Sequence, residues 1–320
     1  MSTSGSVDFS VSRDVIITRA LQLCKVVGEG GSGTTNQVSD AASFLNILIK
    51  HMVVHGLQLW AQEDIIIFPI KNTAKYVLGT SGDRACLVSE FIGTQLNGAH
   101  ASGATALTVD STTGMSASDK IGVETDSAGI TWGTISGAPG SSTTLTLSGG
   151  LGSAAADNSR VYTYTNAWTQ RPVRFLRDSL FLRDADSIDT PVTLISNEEY
   201  SHLSAKSSTG YLNQAYYDPQ LGAGDLYWWP IPNDDHTNKI LYAKVHRIFE
   251  DFDAAGDTPD FPSEWYLALV YKLAEVMAPT FGLAGQDLRD ISTLANYYLQ
   301  EVLDFDTEYT SLFLQPAQNR

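Results

Sequence analysis

The C-terminal part of the chain carries a regular apolar repeat that requires both a helix and a partner for that helix. Apolar residues recur there at alternating gaps of three and four, which is the a/d pattern of a helix buried along one seam. We define the apolar seam as Leu288, Ile291, Ala295, Tyr298, Val302, Phe305, Tyr309 and Leu312. The spacing predicts one helix over about residues 284–312. Its partner is either the N-terminal helices of the same chain, which we favour, or a second copy.

The N-terminal residues predict two shorter amphipathic helices that can supply such a partner. Helically spaced apolar residues over 12–28 predict a first helix that ends at Gly28, and a second helix is predicted over about residues 36–55. We expect the two to pack as a helical hairpin. A further helix is predicted between Pro262 and Gly282. The N- and C-terminal helices together predict a helical bundle.

Between these helical ends the composition changes sharply. From Ala99 to Tyr164 about half of the residues are Ser, Thr or Gly, yet short runs keep an apolar alternation that disordered linkers lack. The runs predict five strands, at residues 105–109, 120–124, 130–135, 143–147 and 160–164. We therefore expect residues 97–165 to form an inserted small β-barrel or sandwich, autonomous and on the outside of any assembly.

Further strands are predicted on both sides of the insertion. Residues 64–69 and 75–78 precede it. Five runs follow it, at residues 173–177, 179–183, 191–195, 225–229 and 239–246. The last two flank a turn-rich connection and are predicted to pair as antiparallel strands.

The predicted fold class is therefore α+β, with the helical bundle, a mainly antiparallel β region and the inserted β module. The predicted domains are a core of residues 1–96 and 166–320, the insertion at 97–165, and a C-terminal tail at 313–320.

Charge is distributed unevenly along the chain. The net charge of −16 argues against binding nucleic acid through a general positive field. Residues 250–308 contain thirteen acidic and two basic residues, whereas Arg171, Arg174, Arg177 and Arg183 lie within thirteen residues. Solvated surface explains each charge singly, and complementary surfaces between copies or with a partner explain the two clusters together. Arg171, Arg177 and Arg183 share a parity along a strand, so they are the candidate subunit-interface residues, with Arg174 pointing away.

Motifs for catalysis or cofactor binding do not withstand inspection. The glycine pattern of residues 28–33 follows a helix, whereas a dinucleotide site needs a preceding strand. His51 and His55 have a spacing that suits zinc but lack the accompanying Glu, and solvated or partner-facing histidines are favoured. Asp184 and Asp186 are one of many carboxylate pairs that chance supplies. No catalytic residue, cofactor or metal is predicted, and we expect no enzymatic activity.

Aromatic residues cluster at Tyr216–Tyr217 and Tyr227–Trp229. Such a cluster can stack on a sugar or a base. Packing into a core or a subunit interface is the interpretation that we favour.

The two cysteines, Cys24 and Cys86, cannot supply a disulfide framework, which suits a reducing compartment. The first residues lack a signal-peptide pattern, and no stretch approaches the about 18 apolar residues of a membrane span. We expect no membrane association.

Four segments of the chain resemble the head-to-tail adaptor proteins of tailed bacteriophages, the P22-like tail accessory factor family among them. They are Phe9–Leu21, Val54–Trp60, Asp225–Pro232 and Asp257–Leu269, the last with a Phe-Pro-x-Glu-Trp sequence that is the most telling. The resemblance covers the helical ends and the strands after residue 172. The Ser/Thr/Gly-rich insertion departs from the smaller members of the family.

The resemblance implies a non-enzymatic structural protein of the virion, made in the host cytoplasm and located at the head-tail junction. Copies would form a dodecameric ring that joins the portal protein to a downstream tail or nozzle protein. Double-stranded DNA would pass through the ring without sequence-specific binding. Residues 313–320 match the family's portal-binding segment by position, so Phe313, Leu314, Gln315 and Pro316 are the candidate portal contacts. The alternative is a tail-associated polysaccharide-binding or polysaccharide-cleaving protein.

Overall fold

A computed structural model shows a mixed α+β protein with several antiparallel sheets and few helices, which confirms the fold class at this level. It describes residues 9–53, 59–79, 82, 84–127, 129–137, 139–140, 142–165, 169–184, 186–233 and 237–306. The chain divides into two compact units. The helical unit is drawn from Met1–Ala61 and Ile248–Arg320, and the β unit is Gln62–Arg247.

Four of the five α-helices in the described residues occur where the apolar periodicity predicts them, and the short helix α3 was not predicted. They are α1 (Arg13–Leu23), α2 (Thr35–Met52), α3 (Asn197–His202), α4 (Tyr266–Met277) and α5 (Gln286–Phe305). All except α3 belong to the helical unit. A capping box in which Thr34 and Gln37 exchange hydrogen bonds starts α2. Gly282, at φ +78°, ends the α4 segment as predicted.

The first helix ends earlier than Gly28. Lys25 adopts a left-handed φ of +60°, and the Val26 backbone N–H donates to the carbonyl of Leu21 at 3.1 Å. This bond from the residue after a left-handed position closes a helix in the Schellman arrangement. The sequence pointed to glycine because glycine adopts this conformation most easily, but a lysine takes it here.

One hydrophobic core joins the four helices of the helical unit. Helix α4 contacts α1, α2 and α5, and α1 also contacts α2 as the predicted hairpin. The pairings Tyr271 with Tyr298 and Lys272 with Asn296 show that α5 runs antiparallel to α4. The principal partner of the apolar seam is therefore α4, and the expectation of the N-terminal hairpin in that role is wrong.

The seam itself drifts around α5. Ile291 and Ala295 are buried as predicted, but the next buried residue is Leu299 and Phe305 is 80% exposed. A straight helix has 3.6 residues per turn, so a strict repeat of seven rotates away from the core along its length. Tyr309 and Leu312 lie outside the described residues.

The described residues of the β unit form eighteen short strands. They are β1 (Gln62–Ile67), β2 (Lys75–Gly79), β3 (Ala85–Leu87), β4 (Ile92–Gln95), β5 (Ala106–Thr108), β6 (Lys120–Thr125), β7 (Gly129–Thr134), β8 (Thr144–Thr146), β9 (Arg160–Tyr164), β10 (Arg174–Phe175), β11 (Phe181–Arg183), β12 (Asp189–Pro191), β13 (Thr193–Leu194), β14 (Thr209–Gly210), β15 (Gln214–Pro219), β16 (Ala223–Trp229), β17 (Ile231–Pro232) and β18 (Ile240–His246).

Outside the insertion these strands form two larger sheets and one small one. The first is β12-β11-β18-β1-β3, in which β10 also pairs with β18, and all of its pairs are antiparallel. The second is β13-β15-β16-β2, antiparallel except for β13 with β15, and β14 pairs with β17 in parallel. The predicted pairing of residues 225–229 with 239–246 is wrong, because β16 takes β15 and β2 as neighbours while β18 takes β1, β10 and β11.

The five strands predicted in the insertion are present as β5 to β9. Strand β4, which precedes the predicted start at residue 97, completes the sheet β4-β9-β6-β7, and β5 pairs with β8. We call residues 92–164 the β module. Its own core consists of buried aliphatic residues, including Leu107, Val123 and Leu145.

An aromatic cluster joins this module to the rest of the β unit. Phe68, which follows β1, stacks on Tyr164 at a ring-centroid distance of 5.4 Å and meets Trp132 at 4.4 Å. Ile66 and Cys86 from β1 and β3 are buried in the same cluster. The β module therefore has its own core but is not autonomous in its packing, since its sheet shares a second core with β1 and β3.

Candidate functional site

The helical unit carries a large apolar groove between the N-terminal segment with α1 and the α4 segment. It measures about 1410 Å³ and is lined by Phe9, Val11, Val15, Leu23, Val27, Tyr266, Leu267 and Val270, among others. Phe9 lies 6.2 Å from Tyr266 between ring centroids, yet it remains 71% exposed. Exposed apolar patches of this kind mark sites where another molecule binds.

Two cations stand at the groove. Lys25 donates to the Asp287 carboxylate of α5 at 2.6 Å, so its charge is paired within the unit. Arg19 is exposed and donates to the amide oxygen of Gln22 at 3.2 Å. Its guanidinium forms no ion pair with the described residues, which leaves a positive charge beside an apolar surface.

Helix α5 of the same unit carries a second unusual surface. One face of α5 is exposed to solvent and combines apolar and acidic residues at helical spacing. We call Asp290, Leu294, Tyr297, Glu301, Asp304 and Phe305 the α5 stripe. Tyr297 is 61% exposed, and Leu294 and Phe305 are exposed as well.

The helical unit and the β module differ in how they treat apolar side chains. Within the described residues, the large exposed hydrophobic side chains of the helical unit are Phe9, Val15, Ile47, Leu267, Val276, Leu294, Tyr297 and Phe305. The described part of the β module exposes no large hydrophobic side chain. The surface of the helical unit therefore suits coverage by another molecule, whereas that of the module suits solvent.

Two segments that carry the adaptor resemblance meet in the core of the helical unit. Trp60 stacks on Phe249 at 5.0 Å between ring centroids and lies 4.9 Å from Phe261. Trp265 contacts both Trp60 and Phe261 at 5.9 and 5.8 Å. The Phe and Trp of the Phe-Pro-x-Glu-Trp sequence are thus core residues that pack against the end of the Val54–Trp60 segment.

The four arginines do not follow the alternation predicted for one strand. Asp178, at φ +58°, breaks the extended conformation between β10 and β11, so the side-chain alternation does not continue from one strand to the next. The Ser179 hydroxyl fills the gap by hydrogen bonding to the backbone of Lys244. Arg174 faces His246 and Arg183 faces Ile240 across the ladder, and these two positions share one face of β18. The expectation that Arg174 points away from Arg183 is therefore wrong.

Arg183 pairs with residues of its own chain. Its guanidinium makes a bidentate pair with Asp189, at 2.7 and 2.8 Å, and lies over the Tyr242 ring at 4.7 Å. This pair lowers the pKa of Asp189 and raises that of Arg183. Arg177 is exposed and Arg171 half-buried.

Carboxylates of the acidic segment organise its own backbone. The Asp257 carboxylate accepts from the N–H groups of Ala254 and Asp253 at 2.6 and 2.8 Å, and these bonds lower its pKa. Lys50 on α2 pairs with Asp251 at 2.7 Å. These two carboxylates therefore stabilise the loop that contains them and the contact of that loop with α2.

The candidate catalytic and metal-binding residues that the structure describes lie in a turn, in a core or on the surface. Asp184 accepts from the backbone N–H groups of Asp186 and Ile188, as in a turn. His51 is exposed, and His55 lies outside the described residues. Both cysteines are buried and free, and burial raises the pKa of Cys24 to about 11 and that of Cys86 further. The described residues contain no group of three potential metal ligands.

Strand alternation divides the aromatic cluster between two faces. Tyr217 and Trp228 are buried, whereas Tyr216 and Tyr227 stand on the outer face and contact each other and Tyr200 of α3, at 5.3 to 5.9 Å between ring centroids. Lys75 lies over Tyr227 and Lys206 over Tyr200. The outer tyrosines form a partly exposed cluster with a cation on each of two rings.

The candidate portal contacts Phe313, Leu314, Gln315 and Pro316 lie outside the described residues. The groove and the α5 stripe were missed by the sequence reasoning. A signal for the groove was present in Val15 and Leu267, exposed apolar residues of α1 and α4, and in Phe9, which precedes α1.

None of the helices in the described ranges has the length and apolar character to cross a lipid bilayer. No protein-family model matches the chain, and neither does any curated protein.

Proposed function

We propose that this chain is a structural virion protein that forms a ring, joins the phage portal to the tail and lines the DNA exit channel. In this proposal the helices of the helical unit are the bundle of the ring. The β module is a small barrel that decorates it, and the protein sits at the head-tail junction. The ring is dodecameric by the resemblance, and its partners are the portal, a downstream tail or nozzle protein and the DNA in transit.

The observation that carries the proposal is the cluster of Trp60, Phe261 and Trp265. These residues come from two distant segments that resemble the adaptor family, and they pack together at the centre of the helical unit. Because the two resembling segments meet in the hydrophobic core, the resemblance involves the packing of the helical unit and is more than a match between short sequences. The exposed apolar groove beside this core supports assembly with other molecules.

The charge of the chain supports the channel role. A net charge of −16 opposes the counterion release that drives proteins onto DNA. DNA can then pass an acidic wall without being held. Arg171 and Arg177 remain the candidate interface arginines in this proposal, since Arg183 pairs within its own subunit.

Electron microscopy of the purified chain, alone and mixed with the portal protein of the same phage, tests the proposal. We expect closed rings with a central channel seated on the portal. Single copies in both samples, with nothing bound to the portal, would contradict it.

The tail allows a sharper test of portal attachment. Truncation after Leu312 should leave the melting curve unchanged and weaken binding to the portal, because apolar residues at a terminus are stabilising only when a partner covers them. Earlier melting together with normal portal binding would instead assign the tail to the subunit's own core.

A polysaccharide-binding function is the second candidate, favoured by the outer tyrosine cluster of Tyr200, Tyr216 and Tyr227. Exposed tyrosines and lysines can stack on and hydrogen-bond to sugar rings. Tyr216→Ala should then abolish retention on host surface glycans, with Tyr211→Ala, outside the cluster, as the control. If the unchanged protein shows neither glycan retention nor cleavage, this candidate is excluded.

A further inference from the structure

We infer that the α5 stripe of one copy docks into the α1–α4 groove of a second copy, so that neighbouring subunits associate head to tail. This inference rests on the proposed ring and names the two surfaces that would build it. It commits to a second copy of this chain as the occupant of the groove.

The apolar parts of the two surfaces match in kind. The groove presents Phe9, Val15 and Leu267 as exposed side chains, and the α5 stripe presents Tyr297 and Phe305 in the same way. Each surface leaves aromatic area in water, and burial of that area on association is favourable. Aromatic residues of this type are enriched at the centres of protein interfaces.

The charges of the two surfaces are complementary. Arg19 stands at the groove without an ion-pair partner among the described residues, whereas Lys25 is already paired with Asp287. The α5 stripe carries Asp290, Glu301 and Asp304. Glu301 is exposed and has no described partner, which makes Arg19 with Glu301 the best-placed pair between copies. Complementary charges fix the register of an interface and exclude wrong partners.

The placement of the surfaces determines the kind of assembly. Helix α4 contacts both α1 and α5, and none of the residues of the α5 stripe lines the groove. The groove and the α5 stripe are therefore different faces of one unit, and a contact between them is heterologous. Heterologous contacts between identical copies produce either a closed ring or an open filament. The inference thus accounts for a ring without any further interface.

Charge reversal tests the pairing on portals. Arg19→Glu and Glu301→Arg should each reduce the fraction of portals that carry a complete ring by about tenfold or more, which is the effect of 1.4 kcal/mol at a contact. The double variant should recover assembly, because the pair is restored with its signs exchanged. Arg289→Glu on α5, outside the α5 stripe, is the matched control and should assemble normally.

Crosslinking between copies provides a second readout that does not depend on folding of the charge variants. Copies with Val15→Cys are mixed with copies with Tyr297→Cys and treated with a short bismaleimide on the portal. We expect crosslinked dimers in the mixture and none in either variant alone. The native cysteines are buried and leave the background low.

The outcomes separate this inference from the proposed function. Suppose that the wild-type chain forms rings. If both charge-reversal variants then assemble normally, or if no crosslink forms between positions 15 and 297, the inferred interface is overturned and the ring itself is not. With Ser311→Cys added as a second reactive thiol in the C-terminal segment 307–320, a crosslink from the Val15→Cys position to that segment, or to a cysteine of the portal, assigns the groove to that occupant and also overturns the inference. Failure of the wild-type chain to form any ring contradicts the proposed function first.

Discussion

The helical unit and the β module bury their cores in opposite ways. The helical unit joins the two ends of the chain around one core, so residues such as Ile17 and Leu273 meet across more than two hundred positions. The β module closes a core from one continuous stretch of chain. The first leaves large apolar side chains exposed and the second, in its described part, leaves none. The exposed apolar surface of this comparison therefore lies on the helical unit, and it is there that we propose the partner surfaces.

The largest effect is expected from removing Trp265 from the helical core. Trp265→Ala deletes a buried ring that contacts Trp60 and Phe261, at a cost of about 3–5 kcal/mol. We expect loss of the helical unit and of assembly, measured by urea unfolding and by electron microscopy. Val276→Ala, an exposed change on α4, which begins directly after Trp265, is the control and should leave both almost unchanged. If the variant with an unfolded helical unit still assembled, the claim that assembly uses the helical unit would be contradicted.

Phe68→Ala should destabilise both parts of the β unit together. Phe68 is fully buried and contacts Trp132 and Tyr164 of the module, so its removal should cost about 3–5 kcal/mol. Hydrogen exchange should show faster exchange in β1 and in β9 alike, while α4 stays protected. Loss of protection on only one side of the cluster would show that the two cores are independent.

A change inside the module core should remain local. Leu145→Ala removes a fully buried side chain from the module, at a cost of about 2–5 kcal/mol. We expect faster hydrogen exchange in β5 and β8 and normal ring formation. Thr144→Ala, whose side chain is exposed on the same strand, should change neither quantity. Lost rings would mean that the module takes part in assembly.

The sequence predicts elements better than their partners. The periodicity of α5 correctly predicts a helix with one buried face, but a buried face does not specify whether α4 or the N-terminal hairpin covers it. The alternation at Arg171–Arg183 fails at Asp178, because a non-glycine residue in a left-handed turn leaves little trace in the sequence. The Phe-Pro-x-Glu-Trp segment suggests a family, and only the structure shows that Phe261 and Trp265 are core residues.

The surfaces are harder to predict than the cores. Alternation in β15 and β16 separates Tyr216 from Tyr217 and Tyr227 from Trp228, yet the pattern does not say which set faces inward. The groove is formed where residues of α1 and α4 have no side chains packed against them. A lack of packing contacts leaves no pattern in the sequence.

The smallest predicted effect is a pH dependence confined to the β unit. Burial, with the positive charges of Arg174 and Arg247 nearby, lowers the pKa of His246 below its usual 6.5. The folded state therefore keeps this imidazole neutral, while the unfolded state takes up a proton as the pH falls below about 6.5. The free energy of unfolding should fall between pH 7.5 and 5.5, by at most about 1.4 kcal/mol per pH unit.

Urea unfolding at three pH values measures this effect, with the exposed His202→Asn as a control that should retain the full dependence. His246→Asn should flatten the profile in this window, whatever it does to the overall stability. An unchanged slope in His246→Asn would assign the effect to another group.

Hydrogen exchange of the chain, free and assembled on the portal, tests most directly the claim that assembly uses the helical unit. The claim predicts that protection on assembly appears in peptides from α1, α4 and α5, with peptides from the β module at residues 92–164 exchanging as in the free chain. Protection concentrated in the module, with α1, α4 and α5 unchanged, would contradict it.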